Sequence, residues 1–145
     1  MSLETIAGRV VGSITIAGEV SPRVELTPAA TALLRRLWTQ NGALMFHQSG
    51  GCCDGSSPMC YPADEFLTSD ADVLLGELDL GPSAAVALAA EGAARVIPFW
   101  MSAEQFGYWR HTHLTVDVVP GRGSGFSLEA PEGVRFLIRS RLMQG

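Results

Sequence analysis

"HLTVDVVPG", residues 113–121, alternates without a break. Leu114, Val116 and Val118 fall on one side of an extended chain; His113, Thr115 and Asp117 fall on the other. Side chains of a strand point alternately to opposite faces, so the stretch predicts a β-strand with one buried face. Its polar side reads as a solvated face. If the strand begins early, His111 joins His113 and Asp117 on that side, where they could complete a metal site with Asp117 as ligand or orienting carboxylate.

Working outward, "VRFLIRSRL" (134–142) reads as a closing strand with Arg135, Arg139 and Arg141 on one face. Those arginines could hold an anionic group or pair with acids. "GRGSG" (121–125) predicts a hairpin turn, and "GFSLEAPEG" (125–133) a strand and a further turn. "ALMFHQ" (43–48) is a strand with Leu44 and Phe46 on one side and Met45 and His47 on the other. "DVLLGELDL" (72–80) and "RVIPFWM" (95–101) are β-prone, with Pro98 hinting at an edge or bend. "GRVVGSITIAGEV" (8–20) is β-prone but interrupted by glycines.

Two stretches predict helices. Thr27 is an N-cap with Pro28 at the first helical position, and Gly42 is a C-terminal stop. Between them Ala30, Leu33, Leu34, Leu37 and Trp38 share one face. "SAEQ" (102–105) is a capping box opening a short helix that carries Phe106 and Trp109. "GPSAAVALAAEGAA" (81–94) suits either a short helix or an inserted loop. The fold class is α+β: a single compact, mostly antiparallel β domain with two short helices. It occupies residues 24–142, after an N-terminal segment, 1–23, whose "MSL" opening (1–3) reads as an expression scar.

Composition narrows the function. The chain has 145 residues, 47% apolar and 17% charged, and a net charge of −5. That suits one globular domain and argues against nucleic acid as a partner. All ten basic residues are arginine. Without lysine there is no Schiff-base chemistry and no phosphate-loop lysine. No run is long and apolar enough for a membrane span, and no signal peptide opens the chain. A bacterial-type cytoplasmic protein is expected, where clustered thiols more often mean metal or redox chemistry than a disulfide.

The chemistry concentrates in "HQSGGCCDGSSPMC" (47–60), which holds all three cysteines. Thiolates are soft ligands for zinc or iron, and glycines let a loop turn sharply enough to aim neighbouring thiols at one point. Cys52, Cys53 and Cys60 are candidate metal ligands, with His47 or His111 as a further donor. The spacing is not that of a zinc finger. A second reading is a thiol enzyme: Cys53 or Cys60 attacks a carbonyl carbon while His47, His111 or His113 takes the thiol proton. A third treats the cysteines as small buried hydrophobes. Phe99, Trp100, Phe106, Tyr108 and Trp109 should be mostly core, leaving a ring for a pocket or dimer face.

"FHQSGGCCDGSSPMCYP", "PFWMSAEQFGYWRHTHLTVDVVPGRGSGFSLE" and "RFLIRSR" together closely resemble the DUF779 family of small, uncharacterised bacterial proteins. The likeness covers residues 24–142. Such proteins are commonly encoded beside aldehyde dehydrogenases, so the resemblance implies an accessory role in alcohol or aldehyde metabolism, with an aldehyde dehydrogenase as partner. The chain is too short to be that dehydrogenase, and it has no dinucleotide fingerprint, so no nucleotide cofactor is expected. In the family "HTH" often reads H-T-Q: His111 matches and His113 departs. A weaker likeness, carried by the "LTPAA" helix, the "GGC" loop and a closing "GF" strand, is to HesB/IscA-type iron–sulfur carriers. It would put Cys52 at their first cysteine position. Their C-G-C pair has no counterpart in "SLEAPEGVRF". A homo-oligomer is expected. A non-catalytic module docking to the dehydrogenase through its aromatic surface is the remaining alternative.

Overall fold

The computed structural model describes residues 9–48, 56–65, 68–81, 95–121 and 127–143. The longer helix forms where its end signals lie. Thr27 is extended, and its hydroxyl accepts the Ala30 N–H at 3.2 Å. Pro28 follows where its missing N–H leaves no bond unmade. The helix α1 (Pro28–Asn41) stops at Gly42, whose φ of 83° favours glycine and whose N–H closes on the Trp38 carbonyl at 2.7 Å. Ala30, Leu33, Leu34 and Leu37 are buried, while Arg35 and Arg36 face solvent.

Among the described residues, eight strands make two sheets. β1 (Val10–Val11), β2 (Val24–Leu26), β7 (Thr112–Pro120) and β8 (Val134–Leu142) lie in the order β1-β2-β7-β8. β3 (Leu44–Gln48), β4 (Met59–Pro62), β5 (Asp72–Asp79) and β6 (Val96–Ser102) lie in the order β4-β3-β6-β5. Within each sheet two antiparallel pairs flank one parallel pair, β2/β7 or β3/β6. The short helix α2 (Ala103–Trp109) joins β6 to β7, with the Ser102 hydroxyl capping the Gln105 N–H at 3.2 Å. The α+β class, the two helices and the mostly antiparallel sheets are as the sequence predicts. No helix among the described residues is long and apolar enough to cross a membrane.

The core lies between the sheets. Val24, Leu26, Leu114, Val116, Phe136 and Ile138 meet Leu44, Phe46, Ile97, Phe99 and Met101, with α1 adding its leucines. Phe46 packs edge-on to Phe136 of the opposite sheet, centroids 5.1 Å apart. Each large side chain buried here contributes about 1.5–3 kcal/mol relative to exposure.

Both open sides of the sandwich are closed by backbone contacts. On one, the chain after β1 reaches β5: the Ser13 N–H donates to the Glu77 carbonyl at 3.0 Å and the Thr15 hydroxyl to the Leu74 carbonyl at 2.6 Å. A Cβ on Gly76 would stand 2.9 Å from the Ser13 carbonyl oxygen, and one on Gly12 2.8 Å from that of Val24. The glycines that interrupt the β-pattern are what let these segments approach. On the other side, the Leu128 N–H donates to the Cys60 carbonyl at 3.0 Å and the Ile138 N–H to the Ser56 carbonyl at 2.8 Å.

Three expectations differ. Pro98 sits in an interior strand, with the β3 ladder starting one residue later at Phe99. Among the described residues of the 8–20 segment, Val10–Val11 alone form a strand. Residues 127–129 are irregular and lead into a 3-10 turn, Ala130–Glu132, so β7 pairs with β8 across a long connection instead of a tight hairpin. The segment 82–94 and most of "GRGSG" lie outside the described residues.

Candidate functional site

His47 stands at the end of β3 from which the connection 49–58, carrying Cys52 and Cys53, departs. That connection returns as β4, where Met59 lies opposite His47. Across the second sheet the register makes one row, Met59–His47–Trp100–Leu74. Met45 and His47 alternate with Leu44 and Phe46, so this row faces away from the core.

The His47 Nε2 lies 2.7 Å from the Asp72 Oδ1, and the two side chains are 5% and 10% exposed. A carboxylate only accepts, so Nε2 carries the proton of this bond. The other Asp72 oxygen accepts the Ser69 N–H at 2.9 Å. Burial works to raise the Asp72 carboxyl, but the bonds from His47 and Ser69 outweigh it and hold the group below its ordinary value. A carboxylate on one imidazole nitrogen fixes the ring and raises the basicity of the other, as an outer-shell partner does for a metal ligand or an orienting acid for a catalytic base.

Cys60 lies elsewhere. It pairs with Phe46, shares its core-facing side and is fully buried. Its N–H donates to the Ser127 hydroxyl at 2.9 Å, and that hydroxyl donates to the buried Glu129 carboxyl. Burial pushes the Cys60 thiol far up, and the Glu129 charge adds to the shift. Burial likewise raises Glu129, which its bonds to Ser127 and to the Phe136 N–H only partly offset. An attacking thiolate needs the opposite environment. His47 and Cys60 therefore point to opposite faces of one sheet.

The "HTH" segment is at the other end of α2. His111 is exposed beside Arg110 on a cavity whose wall includes Arg23 and Met143. His113 is not on a solvated face: it is buried, with Nδ1 3.0 Å from the Pro22 carbonyl and Nε2 2.9 Å from the Glu25 carboxylate. Asp117 is engaged by the Thr27 hydroxyl at 2.9 Å and Arg139 at 3.0 Å. Among the described residues His47, Cys60 and His111 do not converge, and no group of three or more histidines, cysteines or acids could hold a metal ion. Cys52 and Cys53 lie outside the described residues.

Asp72, Glu25 and Glu129 had no place in the sequence reading. Asp72 opens its strand on the polar phase and Glu25 alternates with Val24 and Leu26, so both pattern as outward residues. Nothing in the pattern pairs either with a histidine. Glu129 has no sequence signal at all.

No curated protein and no solved structure matches the chain, so the likeness to HesB/IscA-type carriers finds no support there. The family model described as "Domain of unknown function (DUF779)" matches residues 33–142, and the chain belongs to that family.

Proposed function

We propose that this is a cytoplasmic accessory protein of alcohol or aldehyde metabolism built around a thiolate–imidazole metal site, zinc or iron, formed by His47 with Cys52 and Cys53. The observation that carries the metal site is the buried His47–Asp72 pair at the point where the cysteine-bearing connection leaves β3. The donor set suits the guest: thiolates and a neutral imidazole are ligands of zinc and iron. Asp72 holds the imidazole by one nitrogen, as carboxylates do behind metal-bound histidines. Cys60 and His111 are left out of this site, the first facing the core and the second lying beyond α2. The metabolic role and an aldehyde dehydrogenase partner rest on the family resemblance alone.

The test is metal per chain after purification without chelator, read with the count of reactive thiols. About one zinc or iron per chain is expected. Cys52→Ser, Cys53→Ser and His47→Ala lose it, Asp72→Asn weakens binding about 10–100-fold, and Cys60→Ser keeps it. A metal-free protein would sink the reading. The same His47–Asp72 pair favours one alternative, a Cys53 nucleophile with His47 as base and Asp72 as its orienting acid. That version requires a metal-free protein with one fast-reacting thiol, slowed by His47→Ala.

A further inference from the structure

The arginines are unevenly employed. Of the nine described, Arg9, Arg23, Arg36 and Arg139 pair with carboxylates. Arg35, Arg95 and Arg135 donate to carbonyl or hydroxyl oxygens. Arg110 and Arg141 alone among the described arginines do neither, and both line the same part of the surface. Arg110 and His111 border a cavity of about 250 Å³, and Arg141 and His113 border one of about 310 Å³. The two cavities adjoin, sharing Ser21 and Met143 as walls.

The floor of the second cavity is fixed by hydrogen bonds. Both His113 nitrogens face acceptors, the Pro22 carbonyl and the Glu25 carboxylate. Burial raises Glu25, but the bonds and charge of Arg9, with those of His113, bring it below its ordinary value. The two contacts hold the His113 ring, 4% exposed, at the base of the second cavity. Arg141 lies directly across the ladder from it. Among the described residues of the two linings, Arg9, Arg23, Arg110 and Arg141 face two carboxylates, Glu19 and Glu25, in a chain whose net charge is −5. Like charges gathered this way repel unless an anion joins them. The walls also carry Val11, Val20 and Met143, with Val20 88% exposed.

The geometry points to a binding site for a small organic oxyanion, a carboxylate or phosphomonoester on an apolar body, held by Arg110 and Arg141 with His111 beside them. The two guanidinium forks match either headgroup, and the apolar wall takes the body. The site shares no residue with the His47–Asp72 pair and stands or falls independently of it.

The test titrates hexanoate, hexyl phosphate and neutral hexanol against the full chain at low salt, following the His111 ring resonances and heats of binding. At least one anion saturates below about 10 mM and moves His111; the tighter of the two identifies the headgroup. Arg110→Gln and Arg141→Gln each weaken it about tenfold, Arg110→Lys recovers part of the loss, and Arg36→Gln, at an arginine outside the groove, changes nothing. Failure of both anions to saturate, equal binding of hexanol, or unchanged binding by the two glutamine variants would each overturn the proposal.

Discussion

Cys60 belongs to the cysteine-rich stretch by sequence and to the hydrophobic core by structure. Its side chain is fully buried on the Phe46 face, and among the described residues the charge acting on its thiol, that of Glu129, is of the wrong sign to favour a thiolate. It should be inert in the folded protein. Ellman's reagent should react with Cys60 at least a thousandfold or so more slowly in the native chain than in guanidinium, because access requires the core to open. Prompt labelling of a Cys52→Ser, Cys53→Ser double variant, which leaves Cys60 as the only thiol, would contradict this. The same residue marks a limit of sequence reading. Buried hydrophobe was one of the readings open for the cysteines, but choosing it for Cys60 needed the β3–β4 register. His47 was legible as the residue at the mouth of the loop. Asp72, 25 positions away, was not, because only the fold brings the two together.

Among elements, α1 was legible from end to end, since its start and stop are local chemistry: Thr27, Pro28 and Gly42 act within a turn of where they stand. β4 was not. "MCYP" is four residues at a sheet edge, preceded by turn formers and ended by proline, and its strand character comes from β3. Nor could an alternating pattern show that β2/β7 and β3/β6 run parallel, because periodicity sets which face is buried and not which neighbour is chosen. Thr27 joins the two levels. Its hydroxyl accepts from the Ala30 N–H and donates to the Asp117 carboxylate on β7, so it caps α1 and ties it to the first sheet. Thr27→Ala should cost about 1–2 kcal/mol, the upper part of the range for a lost cap. Thr27→Ser should recover most of it, measured by urea unfolding. A loss confined to a few tenths would show that the tie to Asp117 adds nothing.

At the scale of the whole molecule, buried and half-buried carboxyls with shifts of opposite sign set its response to pH. Glu25 links Arg9 at the start of the first sheet to His113 on β7, and Asp117 links the start of α1 to β7 and to Arg139 on β8. Burial pushes both upward, but their bonded partners prevail and hold them below ordinary carboxylate values. An unfolded chain therefore binds protons on these groups before the native one does. Their stabilisation is complete above about pH 4–5 and drains away as pH falls through the lowered native values. Glu129, between the sheets, runs the other way. Burial raises it, so the native protein holds that proton longer than the unfolded chain, and its contribution is complete at low pH and fades as pH rises through the raised value. Thermal midpoints recorded from pH 3 to 8 should accordingly fall on the acid side and decline again as pH rises above the ordinary carboxylate range. Glu129→Gln keeps a neutral side chain of the same shape at every pH, so it should flatten this upper limb and leave the acid limb in place. Asp117→Asn should lower the midpoint at pH 7 and make the acid limb shallower. If the Glu129→Gln curve runs parallel to that of the parent protein all the way from pH 4 to 8, the carboxyl is not desolvated in the core, and residues 127–129 do not pack between β4 and β8.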